Sequence, residues 1–315
     1  MPELSVVIPS RARERILSET LRRLLEEGHG LPVEVIVVYD GEGPERRIAT
    51  ERAGGDDPPL RVLGGPQTGP AAARNRGVEA AAGGACLFLG DDAWPRPGLL
   101  AAHLRFHRER PGEGDAMLGL VEPAPPLDRS EFIRWLHRGG VQFGYGDLRA
   151  GEVPATCFWT ANVSAKTGLL RAAGGFDEAF DDAACEDAEL GLRLARAGIR
   201  LTFDPGAVAQ HYHPTDLAAT LERMRRVGRA YRLLVERAPE VAVPTRPSAR
   251  HRARAAALLP AALTGTAREA TWRFLCDEAL REAYWEVPPP PGRRLRIGDP
   301  LARAAIRHQR PRVPG

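Results

Sequence analysis

Apolar residues in the first ninety positions come in short unbroken runs. Leu4-Ser5-Val6-Val7-Ile8-Pro9, Val33-Glu34-Val35-Ile36-Val37-Val38-Tyr39-Asp40 and Cys86-Leu87-Phe88-Leu89 each stop at a turn or an acidic residue, and Leu60-Arg61-Val62-Leu63 is a weaker example. Runs of this length bounded by turn residues are how strands buried on both faces of a parallel sheet read. Between them, 18–27 carries Leu21, Leu24 and Leu25 at helical spacing. Gly69-Pro70 opens a second helix through 82, with Pro at the first helical position, where its missing N–H costs nothing. This alternation predicts an α/β fold with a Rossmann-like, mostly parallel central sheet flanked by helices.

Further along, Glu186-Asp187 open an amphipathic helix with Leu190, Leu194 and Ala197 on one side, and 203–213 reads as extended. A basic amphipathic helix over 215–237, with Leu217, Leu221, Met224, Val227, Tyr231 and Leu234 at helical spacing, is expected to pack on the α/β body. Pro239, Pro244 and Pro247 mark a Pro-rich linker over 238–248. The segment 249–285 reads as helical with a break at Pro260, followed by extended polyproline at 288–291. The Gly-rich section 139–151 reads as a mobile loop. The expected organisation is therefore an α/β body over 1–237, the linker, and a helical, Arg-rich extension over 249–315.

The run ending at Leu89 delivers Gly90-Asp91-Asp92 to the end of a strand. In open α/β sheets the ligand crevice lies beyond the carboxyl ends of the strands. Two neighbouring carboxylates there repel unless a cation accompanies them. With oxygen ligands the cation is expected to be hard, Mg²⁺ or Mn²⁺, bringing a phosphate-bearing substrate with it. An acidic turn capping the next helix is the competing interpretation. The loop Pro9-Ser10-Arg11-Ala12-Arg13 lacks the glycines of dinucleotide-binding loops, and the chain has no P-loop, which argues against a dehydrogenase. A nucleotide would have to be held by Asp40 at a strand end, Arg74 near a helix start, where anions are favoured, and a metal on Asp92. Alternation along 203–213 puts His211 and His213 on one face.

Composition changes this picture little. In 315 residues, 43% are hydrophobic and 27% charged, ordinary for a globular protein, and no apolar run approaches the roughly 20 residues of a membrane helix. Cys86, Cys157, Cys185 and Cys276 match no zinc or disulfide spacing, so reduced thiols and a cytoplasmic location are expected, with no N-terminal signal segment read. Residues 246–315 hold 14 Arg, no Lys and 6 Asp or Glu, a net of +8 within a chain of net +3. This asymmetry suggests a peripheral contact with an anionic membrane face, such as the inner membrane, or a homodimer made through the extension. No motif supports nucleic-acid binding.

Taken together, Val6-Val7-Ile8-Pro9-Ser10, Val37-Val38-Tyr39-Asp40-Gly41, Gly69-Pro70-Ala71-Ala72-Ala73-Arg74-Asn75-Arg76-Gly77, Phe88-Leu89-Gly90-Asp91-Asp92, Gly174-Gly175-Phe176-Asp177-Glu178 and Glu186-Asp187-Ala188-Glu189-Leu190-Gly191-Leu192-Arg193 resemble a family 2 glycosyltransferase of the GT-A fold. The resemblance covers roughly 4–236. It departs in three places. Arg11-Ala12 replace an aromatic-Asn pair, Tyr39 and Glu42 replace the first Asp and the Ser of Asp-Asp-Gly-Ser, and Gly90 stands where a further Asp often begins the metal motif.

The resemblance implies a metal-dependent, inverting transfer of sugar from a nucleotide-diphosphate sugar to an acceptor hydroxyl on a glycan, a lipid-linked molecule or a small molecule. It divides the body into a donor-binding half, about 1–123, and an acceptor half, about 124–237. It implies donor contacts from Pro9, Ser10, Arg11, Asp40, Arg74 and Asp91, metal ligation by Asp92 and His211, and an acceptor side of Trp159, Asn162 and Glu186. Asp187 is implied as general base. A sugar-nucleotide-binding protein without turnover and a sugar nucleotidyltransferase are the alternatives, the first favoured by Tyr39 and Gly90, while the late helical Glu186-Asp187 favours transfer.

Overall fold

The computed structural model describes residues 1–11, 13–41, 57–139, 141–182, 184–264, 267 and 269–286, with the backbone alone of 297–298. The elements run β1 (Leu4–Ser10), α1 (Glu14–Gly28), β2 (Val33–Tyr39), β3 (Leu60–Leu63), α2 (Pro70–Ala80), β4 (Ala85–Leu89), β5 (Ala93–Pro95), α3 (Leu99–Glu109), β6 (Asp115–Pro123) and α4 (Glu131–Arg138). They continue with β7 (Gly151–Val153), β8 (Asn162–Lys166), α5 (Thr167–Ala172), α6 (Glu186–Arg196), β9 (Arg200–His211), α7 (Leu217–Arg237), α8 (Ala249–Leu263) and α9 (Glu269–Trp285). Residues group into two compact units, 1–129 with 147–213, and 130–146 with 214–315.

In the first unit the described residues form one nine-stranded sheet, ordered β3-β2-β1-β4-β8-β6-β9-β5, with β7 also on β9. The half predicted from the apolar runs is parallel: β1 pairs with β2 from Leu4↔Val33 to Ser10↔Tyr39, and with β4 from Leu4↔Ala85 to Val7↔Phe88. These strands are buried almost throughout because helices cover both faces. Beyond β4 the sheet is mixed, not parallel. Strand β8 runs against both β4 and β6, while β6 and β9 run parallel to each other. β6 and β9 thereby regain the direction of β4, so His211, the last residue of β9, ends on the same edge as Asp91 and Asp92.

Strand β8 escaped the sequence reading because Asn162, Ser164 and Lys166 alternate with Val163 and Ala165. Its polar face is nevertheless buried. Two histidines one turn apart on α3 satisfy it: His103 contacts Ser164 Oγ at 2.8 Å and Asn162 Oδ1 at 3.0 Å, and His107 Nε2 contacts Ser164 Oγ at 2.8 Å. Lys166 Nζ donates to the His107 carbonyl at 3.0 Å. Burial pushes both imidazoles down, His103 to about 4 and His107 to about 3, so they are neutral near pH 7.

The second unit is helical. Its core joins Trp135 and Leu136 of α4, Leu217, Leu221 and Met224 of α7, and Trp272, Leu275, Cys276, Ala279 and Leu280 of α9. Helix α7, expected against the α/β body, groups with this C-terminal segment and packs along α9. The stretch read as a linker is anchored: Tyr231 Oη donates to the Ala242 carbonyl and Trp285 Nε1 to that of Pro244, each at 3.0 Å. Pro260 lies inside α8, which ends after Leu263, so the break falls later than predicted. Tyr145, in the segment read as a mobile loop, is buried in a short 3-10 turn, and the polyproline stretch lies outside the described residues.

Gly77 lets α2 sit directly on β1. A Cβ there would lie 2.3 Å from Val7 Cγ1, and Val7 is fully buried. Alanine favours a helix over glycine by about 1 kcal/mol, but overpacking a closed core costs about 1–3 kcal/mol. Gly77→Ala is therefore expected to lower the urea midpoint; a raised midpoint would contradict this packing.

Candidate active site

The turn after β4 is fixed by its backbone. Ala93 N donates to the Gly90 carbonyl at 3.2 Å, Thr20 Oγ1 to the Asp91 carbonyl at 2.7 Å, and Tyr212 N to the Asp92 carbonyl at 2.8 Å. Strand β5 then pairs antiparallel with β9 so that Ala93 faces His211. This pairing brings residues 119 positions apart in sequence together. His211 Nε2 lies 3.3 Å from Asp92 Oδ1 and His213 Nδ1 3.2 Å from Asp92 Oδ2. The two rings stack, centroids 5.2 Å apart and planes 4° apart. One ligand atom from each of Asp92, His211 and His213 falls within 4.8 Å of the others.

One carboxylate and two imidazoles so placed could hold a divalent cation. The ionisation of Asp92 suits it too. Burial alone would raise its carboxyl, but His211, His213 and Arg13 outweigh burial and hold it well below the usual range. Asp91 goes the other way, to about 6, through burial and the adjacent Asp92 charge, against Arg13 and Ser10. Ser10 Oγ donates to Asp91 Oδ2 at 2.8 Å. Arg13 Nη1 reaches Asp92 Oδ2 at 2.6 Å and Asp91 Oδ1 at 3.4 Å. At Gly90 a Cβ would approach Asp92 Oδ1 to 2.8 Å, so a further Asp there would crowd the carboxylate in its present rotamer.

A second acidic pair stands at the start of α6. Glu186 is buried, with its Oε1 2.8 Å from Arg74 Nη1 of α2, and the Arg74 guanidinium lies 5.5 Å from the Phe176 ring centroid. Burial first, then the Asp187 charge, push the Glu186 carboxyl up to about 7 in spite of Arg74. Arg74, expected to face a diphosphate, and Glu186, expected on the acceptor side, pair with each other here, with side chains 10% and 4% exposed. Asp187 is half-buried, and its Oδ1 accepts from Ala188 N at 2.7 Å.

The remaining expected residues divide. Asp40 follows β2 and its Oδ1 accepts from Thr68 N and Gly69 N at 2.8 and 2.9 Å, fixing the entry to α2. Pro9 pairs with Val38 within the sheet, and Ser10 serves Asp91. Arg11 is exposed and its guanidinium lies against the Gln67 carboxamide. Asn162, expected on the acceptor side, is fully buried. It holds His103 through Oδ1 and donates to the Leu120 and Ala207 carbonyls at 3.0 Å, across the irregularity between β6 and β9. Trp159 is half-buried. Sequence reasoning missed Arg13, one of three arginines in Arg11-Ala12-Arg13-Glu14-Arg15 with nothing local to single it out. It left His213 out of the ligand set although alternation had put it beside His211.

The mixed α/β sheet flanked by helices is the GT-A fold, which the solved structures named below share. The sequence profile described as "Glycosyltransferase like family 2" matches residues 2–230, and the chain belongs to that family. It is 31% identical over 248 residues to the pre-mycofactocin glycosyltransferase of Mycobacterium tuberculosis, covering 77% of this chain and 49% of that protein, so it spans about half the length of that relative. The mannosyltransferase PcManGT of Pyrobaculum calidifontis, solved with GDP-Man and Mn²⁺, superposes with a TM-score of 0.55 at 19% identity, over 90% of this chain and 88% of that one. TarS of S. aureus (residues 1–349), solved with UDP-GlcNAc, gives 0.52 at 19% identity, over 72% and 66%. At these identities the solved structures establish the shared fold.

The Arg74–Glu186 pair generates a pH prediction. Its folded pKa of about 7, above the usual 4.5, means that Glu186 contributes stability below pH 4.5 that is lost as pH rises through 7. Removing the counter-charge steepens the loss. Arg74→Met is expected to cost about 3–5 kcal/mol at pH 8 and much less at pH 5, and adding Glu186→Gln should flatten the profile. Urea unfolding across this range measures it; a pH-independent cost would refute the buried pair.

Proposed function

We propose that this chain transfers a sugar from a nucleotide-diphosphate sugar to an acceptor hydroxyl, with metal dependence and inversion at the anomeric carbon. The observation that carries this reading is the convergence of Asp92, His211 and His213 beside Asp91 at the strand edge of a family 2 chain. The donors named with PcManGT and TarS belong to those proteins, and they support a nucleotide-sugar here as a class. Asp92, His211 and His213 would hold Mn²⁺ or Mg²⁺, which supplies positive charge to offset that developing on a diphosphate leaving group.

The chain's own residues do the rest. Asp91, steadied by Ser10, is assigned to the donor ribose, and Asp40 at the end of β2 to the nucleoside. Asp187, in the first turn of α6, is assigned to remove the proton from the acceptor hydroxyl as that oxygen attacks the face opposite the leaving group. Glu186 is a positioning residue: its pairing with Arg74 ties the first turn of α6 to α2. Alignment supplies much of the acceleration, and base catalysis adds about 10²–10⁴-fold.

Asp187→Asn is accordingly expected to lower kcat by about 10²-fold or more, with the melting temperature little changed. Asp92→Asn, or EDTA on the native protein, should abolish transfer. NMR of the first-formed product should show the anomeric configuration opposite to that of the donor. Retention, or full activity in EDTA, would overturn the mechanism.

We also assign a peripheral membrane contact to α8, whose exposed Arg250, Arg252 and Arg254 precede exposed Leu263. Basic side chains near an anionic surface contribute about 1 kcal/mol each. Replacing the three by Gln should reduce sedimentation with phosphatidylglycerol vesicles, and unchanged sedimentation would remove the assignment.

A further inference from the structure

Arg13 occupies the donor set that the preceding reading gives to a metal. Its Nη1 lies 2.6 Å from Asp92 Oδ2, the oxygen His213 Nδ1 also approaches at 3.2 Å, and 3.4 Å from Asp91 Oδ1. We propose that Arg13 is a resident counter-ion: it neutralises the Asp91–Asp92 pair until a divalent cation displaces it. The inference rests on the metal-site reading and adds a competitor to it.

Three observations carry it. The side chains of Asp91 and Asp92 are only 10% and 7% exposed, and two adjacent carboxylates that far from water cannot both ionise without a nearby positive charge. The two aspartates are also fixed in place: Ser10 Oγ donates to the Asp91 carboxylate, and Thr20 Oγ1 and Tyr212 N hold the backbone carbonyls of Asp91 and Asp92. Arg13, by contrast, has a side chain 40% exposed. It stands at the N-cap of α1 without making a side-chain cap, so the guanidinium is the partner able to move outward. A divalent cation on Asp92 would face it across a few ångströms in a poorly solvated site, where like charges repel strongly. Once released, a guanidinium suits phosphate oxygens geometrically.

The consequence is counter-intuitive for a residue in a binding site, since removing it should improve metal binding. Full-length wild type, Arg13→Gln, Arg13→Lys and Asp92→Asn would be titrated with Mn²⁺ alone, reading free Mn²⁺ by EPR, with melting curves to confirm folding. Arg13→Gln is expected to bind Mn²⁺ about tenfold more tightly than wild type because the competing charge is gone. Arg13→Lys, which keeps the charge, should stay within about threefold of wild type. Adding guanidinium chloride at a few millimolar should weaken Mn²⁺ binding by Arg13→Gln and leave wild type unmoved. Folded Arg13→Gln that binds Mn²⁺ no more tightly than wild type overturns the competitor. If Asp92→Asn removes Mn²⁺ binding in that case, the metal site itself stands. If Asp92→Asn leaves Mn²⁺ binding untouched, both readings fall.

Discussion

The site depends on one electrostatic constraint: Asp91 and Asp92 stand side by side at the end of a fully buried strand. Such a pair is costly unless each carboxylate is given partners of opposite sign or hydrogen-bond donors. The surrounding structure supplies both, from three separate stretches of chain. Ser10 of β1, Arg13 at the cap of α1, His211 at the end of β9 and His213 just beyond it reach the carboxylates, while Thr20 of α1 and Tyr212 N hold the adjoining backbone carbonyls. Each element is thereby drawn to one edge of the sheet.

The two acidic pairs use the same device to opposite ends. In each, an arginine faces a buried carboxylate whose neighbour in sequence is also acidic, and burial raises both Asp91 and Glu186. The difference lies in access. Arg74 is nearly as buried as its partner, and that pair joins α2 to α6. Arg13 is partly exposed and shares its oxygen with a histidine, so its pair can open. Environments that separate the ionisation of adjacent carboxyls are how one scaffold assigns them different work.

The parallel half of the fold was legible because its strands are continuous apolar runs, and the acidic turn was legible because it interrupts one of them. Local patterns could not say where side chains with long-range partners would go. Arg74 reads equally well as a phosphate clamp or as an internal counter-charge until Glu186, 112 residues away, is placed against it. Asn162 looked like a binding residue for the same reason. A polar side chain in a short alternating strand is exposed by default, and Asn162 is buried at tolerable cost only because His103 and the Leu120 and Ala207 carbonyls satisfy it. The packing of α7 along α9 was not legible either, because an amphipathic stripe specifies that a face is buried, not against what.

The donor set around Asp92 is a product of topology more than of motif. Strand β8 runs counter to both β4 and β6, so β6, and then β9, share the direction of β4 and end at the same edge. A continuously parallel sheet could also deliver a histidine there. The short antiparallel β5 then fixes the register, putting Ala93 opposite His211, with the Tyr212 N to Asp92 carbonyl bond as its next rung. A one-residue slip in that pairing would turn both imidazoles to the other face together, since His211 and His213 share a side by the period of the strand. The buried polar network on β8 thus bears on the distant site through geometry, by holding in place the strand that makes the reversal.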